Sequence, residues 1–128
     1  MQLTYLASPY THPDPQVMQA RYDSARTCIN QMLMQGDHVF SPIVHGHPIA
    51  ALGNLPHDFN WWQDRCLDWL ERCDTLAVLV IDGWEESCGL QAEIRAALTD
   101  HMPIRYVSET GFAIPTPTPF AHNQNCDA

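Results

Sequence analysis

The chain has 128 residues, 45% hydrophobic and 16% charged, a composition of single folded domains and not of disordered segments. Fifteen acids stand against six arginines and no lysine, giving a net charge of −9. Such a balance argues against binding a nucleic-acid polymer, which needs a basic surface, but leaves room for a single phosphate held by helix-terminal amides.

The first strand is expected over Leu3 to Ala7. No basic segment followed by an apolar core and cleavage site precedes it, and no apolar run reaches bilayer length, so a cytoplasmic protein with no membrane partner is expected. The five cysteines (Cys28, Cys66, Cys73, Cys88 and Cys126) lack paired spacing and read as reduced, mostly buried thiols. His45, His47 and His57 raise the idea of zinc, but no C-x-x-C or H-E-x-x-H accompanies them.

After a Pro-rich loop, Asp14 and Pro15 read as N-cap and first position of a helix, with apolar residues at Val17, Ala20, Ala25, Cys28, Ile29, Met32 and Leu33 and a stop at Gly36. His38 to Ser41 is a second strand ended by Pro42. A loop, Ile43 to Pro48, then leads to a short apolar turn or helix over Ile49 to Leu52. Another helix is expected from His57 or Asp58 to Arg72, with Trp62, Cys66, Trp69, Leu70 and Cys73 on its apolar face. Asp74 caps the structure ahead of a third strand, Thr75 to Ile81, whose unbroken apolar character fits burial on both faces. A helix from Cys88 to Thr99 and a strand from Ile104 to Val107 complete a unit of residues 1–108. Residues 109–128 form a Pro-rich tail without periodicity, flexible or lying across a neighbouring subunit. Alternating strands and helices with short links predict an α/β sandwich with a parallel sheet of four or five strands.

Leu76 to Glu93 is the most informative stretch. A buried strand there breaks into a polar loop with Gly83 and Gly89 before a helix, the arrangement that builds a ligand crevice at the carboxyl edge of an open α/β sheet. Ser87 supplies a hydroxyl and a helix N-cap, and Glu93 lies about one turn inside the helix, where its carboxylate can turn back to the crevice. Trp84 either stacks on a base or covers the core edge. Trp61 and Trp62 belong to the core or a dimer interface.

Three segments resemble the nucleoside 2-deoxyribosyltransferase superfamily. Tyr5-Leu6-Ala7-Ser8-Pro9 is similar to its Y-L-A-G-P opening. Trp69-Leu70-Glu71-Arg72-Cys73-Asp74 resembles the W-L-x-x-A-D element of the 2′-deoxynucleoside 5′-phosphate N-hydrolases, and Ser87 to Glu93 matches their S-x-G-x-x-x-E. Phe40 to Pro48 resembles an uncharacterised phage and bacterial branch. The likeness spans residues 2 to 107.

That resemblance implies a flavodoxin-like, Rossmann-like three-layer fold and cleavage of an N-glycosidic bond without metal or organic cofactor. It implies that Glu93 is the nucleophile, that Tyr5 hydrogen-bonds it, and that Ser87 contacts the 5′ end, favouring a 5′-monophosphate. Ser8, Pro9, His45, His47, Gly83, Trp84 and Gly89 are the further candidates for substrate contact. It also implies a homo-oligomer, dimer or tetramer, acting on a small nucleoside or nucleotide by hydrolysis or base exchange. The family places an aspartate eight residues before the A-D aspartate; this chain has Cys66 there. Asp64 and Asp68 flank it, each about 200° around a helix, so either the register shifts to bring one of them in or the acid lies elsewhere. The alternative is a non-catalytic nucleotide-binding or sensing module on the same fold.

Overall fold

The computed structural model describes residues 1–117. They form β1 (Leu3–Ala7), α1 (Pro15–Met34), β2 (His38–Phe40), α2 (Pro42–Gly53), α3 (Phe59–Glu71), β3 (Thr75–Leu79), α4 (Cys88–Thr99), β4 (Ile104–Val107) and β5 (Ala113–Ile114). The strands lie in the order β2-β1-β3-β4-β5; all neighbours are parallel except β5, which runs antiparallel to β4. This is the α/β flavodoxin-like fold, with its topological switch point between β1 and β3.

The apolar runs of β1 and β3 are continuous because helices cover both faces. Tyr5, Ala7, Leu76 and Val78 pack with Leu70, Leu90, Ile94 and Ala97 of α3 and α4. Their alternates, Leu6, Ala77 and Leu79, pack with Ala25, Cys28 and Met32 of α1. That α1 stripe is narrower than the periodicity predicts, since Ala20 and Leu33 are exposed. Asp74 ties the amino ends of the central strands together: its carboxylate accepts from the Leu3 amide at 2.7 Å, and its own amide donates to the Leu3 carbonyl.

Side-chain caps set the helix starts. Asp14 and Ser87 accept from the amides of Gln16 and Leu90, the caps expected from sequence, and Asp58 accepts from the amide of Trp61 and so fixes the start of α3. The second helix differs from expectation. Residues 42 to 53 form one helix, capped by Ser41 and opened by Pro42, with Pro48 inside it and Asn54 in the left-handed conformation at its end. The expected loop over Ile43 to Pro48 is therefore absent, and His45 and His47 are helical residues. The expected tail also starts differently, because a turn over 108 to 111 returns β5 against β4, extending the sheet past residue 108. Residues 118–128 of that tail lie outside the described residues.

Cys28, Cys66 and Cys73 carry free, buried thiols, as the reading of reduced cysteines expects for them. Cys126 lies outside the described residues. Among the described residues no helix is long and apolar enough to cross a membrane.

Candidate active site

A cavity of about 310 Å³ opens at the carboxyl ends of β1 and β3, beside the switch point. Four segments build it: the loop after β1 (Ser8, Tyr10, Thr11), one side of α2 (Pro42, Ile43, Gly46, His47, Ala50), the start of α3 (His57 to Asn60, with Trp62 and Cys66), and the start of α4 (Glu86 to Leu90, with Glu93). The first turns of three helices therefore converge on one space, and their unbonded amides and dipoles favour a negatively charged group there. Among the described residues no arginine lines it.

Glu93 sits on the inward side of α4, 4% exposed, and still borders the cavity. The Tyr5 hydroxyl, from the middle of β1, donates to its Oε2. Burial pushes the Glu93 carboxyl up to about 8, and the Tyr5 hydrogen bond opposes that rise. Tyr5 is raised well above 10 by burial and then by the Glu93 charge, so it keeps its proton. The Cys66 thiol shares this environment; burial and the Glu93 charge push it up to about 12, so it is a neutral thiol and not a nucleophile.

Of the expected site residues, Ser8, His47, Ser87, Gly89 and Glu93 line the cavity together, and Tyr5 stands directly behind Glu93. Ser8 is 5% exposed, and its Oγ is buried at the cavity wall without a hydrogen-bond partner. Gly89 has no room for a side chain, since a Cβ there would lie 2.9 Å from the Phe59 ring.

Others do not join them. Pro9 is fully buried behind the cavity wall. His45 is exposed on the opposite side of α2, edge-on to Trp69 at 5.4 Å. Trp84 takes the second of its two expected roles: it is buried in the core and packs on Tyr106. Gly83, at φ +87°, faces the Arg21 guanidinium, which also donates to the Tyr10 and Thr11 carbonyls and so links both loops of the switch point. Asp64 and Asp68 are exposed on α3 away from the cavity, Asp68 beside Arg72 at 3.9 Å. No register shift brings either inward, because Cys66 and Leu70 hold the buried stripe.

Sequence reasoning missed Tyr10, His57, Asp58, Asn60 and the cavity role of Trp62. Tyr10 donates or accepts at 2.6 Å with His47 Nδ1, and Trp62 is anchored by its indole N–H on the Pro56 carbonyl at 2.7 Å. A usable signal was the cap at Asp58, which fixes where α3 begins and hence which residues face β1. Among the described residues no group of three or more histidine, cysteine, aspartate or glutamate side chains is placed to hold a metal.

The family described as "Domain of unknown function (DUF1937)" matches residues 2–109, and the chain belongs to it. No curated protein matches the chain.

Proposed function

We propose that the protein cleaves the N-glycosidic bond of a nucleoside, or its 5′-monophosphate, with Glu93 as nucleophile. The observation that carries this reading is the buried Glu93 carboxyl, held by Tyr5 on the border of a cavity at the switch point. As the C1′–N bond breaks, its electron pair leaves with the base and positive charge grows on the sugar. The Glu93 carboxylate then bonds C1′ to give a glycosyl-enzyme, which water hydrolyses or a second base intercepts. The three helix N-termini and Ser87 suit the 5′ phosphate, a group no arginine of this cavity is needed to hold. The departing base takes its proton from water or from a cavity group other than Asp64 and Asp68.

The test is incubation with the common nucleosides, 2′-deoxynucleosides and their 5′-monophosphates, following free base by chromatography. Base must appear with the wild type and not with Glu93→Gln. An added acceptor base that becomes a new nucleoside marks a transferase. Association into dimers or tetramers belongs to the same reading, supported by Ile49 and Leu52, exposed on α2 at 42% and 87%; light scattering measures it.

A second reading is supported by Cys66, a neutral thiol where an acid is expected, and by a Glu93 that burial keeps protonated at neutral pH. Under it the cavity binds a nucleotide without turnover. Ligand-dependent thermal stabilisation with no base released is its signature.

A further inference from the structure

Tyr10 and His47 form a polar wall of the cavity, and their hydrogen bonds have a fixed direction that starts on the surface of α1. Asp23 accepts from Arg26 at 3.0 Å and from the Gln19 amide nitrogen at 3.2 Å, which turns the Gln19 carbonyl oxygen to His47. That oxygen only accepts, so His47 Nε2, 3.1 Å away, carries the ring proton. The neutral ring then has a bare Nδ1, and the Tyr10 hydroxyl must donate to it. Burial, then the neighbouring His57, holds His47 below the ordinary imidazole range, and burial lifts Tyr10 to about 12, so both keep these states near neutral pH. Tyr22, stacked on the His47 ring at 4.2 Å, fixes its plane.

The Tyr10 oxygen therefore meets a ligand with lone pairs alone. Asp58, an exposed residue whose Oδ2 caps α3 on the Trp61 amide, also borders the cavity, next in the chain to His57, whose ring lies 6.2 Å from that of Tyr10. The geometry points to a leaving base that bears an exocyclic amino group, of the adenine or cytosine type, recognised by Tyr10 as an acceptor whose direction Gln19 sets through His47. An oxo counterpart, hypoxanthine or uracil, would bring a carbonyl oxygen against that lone pair, with no proton between the two oxygens. This inference rests on the nucleoside reading above.

The experiment compares adenosine with inosine and cytidine with uridine, each also as 2′-deoxy and 5′-monophosphate forms, by base release and by thermal shift. The wild type must favour the amino member of each pair by at least tenfold in kcat/KM. Gln19→Lys is the decisive variant, because residue 19 is exposed and its substitution leaves the fold intact. An ammonium there donates to Nε2, moves the ring proton to Nδ1, and frees the Tyr10 hydroxyl to donate into the cavity. The preference must then collapse or reverse, and in Tyr10→Phe it must fall to within about threefold. Equal or better use of the oxo members by the wild type, or an unchanged preference in Gln19→Lys, overturns the inference. If no base is released from any compound, the glycosidase reading fails, and the thermal-shift order of each pair still decides this one. No shift with any compound sinks both.

Discussion

Glu93→Gln separates the electrostatics of the site from its chemistry, because it can be read in stability without any substrate. The side chain is 4% exposed and its pKa is lifted from 4.5 to about 8, chiefly by burial. Between those two values the folded state holds a proton that the unfolded state has lost. Stability therefore falls as pH rises through this window and levels off above about 8. The gap corresponds to about 5 kcal/mol at full extent, an upper value, since any water drawn toward the charged group lowers the cost. Glutamine is neutral throughout, keeps the shape, and can still accept from Tyr5.

Urea unfolding of wild type and variant from pH 5 to pH 9 measures the difference, in which the titration of every other carboxylate cancels. The variant should match the wild type near pH 5 and exceed it by several kcal/mol at pH 8.5, a midpoint shift of roughly 2 M for a domain of this size. A difference that stays flat within about 0.5 kcal/mol across the range refutes the reasoning. Glu93 would then ionise as in water, and could not be buried against Tyr5.

The same ionisation governs the proposed reaction: base release by the wild type should rise with pH and reach half its plateau near 8, as the Glu93 carboxyl loses its proton. Tyr5→Phe removes the hydrogen bond that favours the charged form, so that midpoint should move upward and the rate at pH 7 should fall about tenfold or more. Asp64→Asn and Asp68→Asn should each change kcat/KM less than about twofold, because both carboxylates are solvated on the outer side of α3. Gly83→Ala places a Cβ in a left-handed backbone and against the Arg21 guanidinium, so it should cost about 1–3 kcal/mol in denaturant unfolding. Pairing it with Arg21→Ala should recover the part of that loss due to the collision, leaving the backbone part.

The legible parts of this protein in its sequence were those fixed locally. Asp14-Pro15 and Ser87 announce helix starts because a short acceptor side chain and an unbonded amide are two or three residues apart. Leu76 to Leu79 announces a buried strand by its unbroken apolar character. Tyr5 and Glu93, 88 residues apart, were joined only through a family resemblance, since no local signal links them. The α2 helix was missed because Pro42, Gly46 and Pro48 read as loop punctuation, although Ser41-Pro42 carries the same cap-then-proline signature as Asp14-Pro15. That error also concealed the Tyr10–His47 wall, because a histidine's facing direction depends on the helix that carries it. Trp84 read equally as a base-stacking or a core-covering residue, and only its packing against Tyr106 in the core decides between them.

The position of Glu93 carries an energetic consequence that links the fold to the proposed reaction. A carboxyl buried at the switch point is neutral in most molecules at pH 7, which suits a stable folded chain and not a nucleophile. Positive charge growing on a sugar beside it reverses that balance, since the charged form gains an opposite charge in a medium with little water. In the fraction of molecules whose Glu93 has already passed its proton to water, the buried carboxylate is stronger against the transition state than against the resting substrate, which is the condition for lowering a barrier. An exposed glutamate at the same place would already be charged and solvated, and would have that advantage to lose. The burial that makes residue 93 a liability to the fold at high pH is therefore the property on which its proposed catalysis depends.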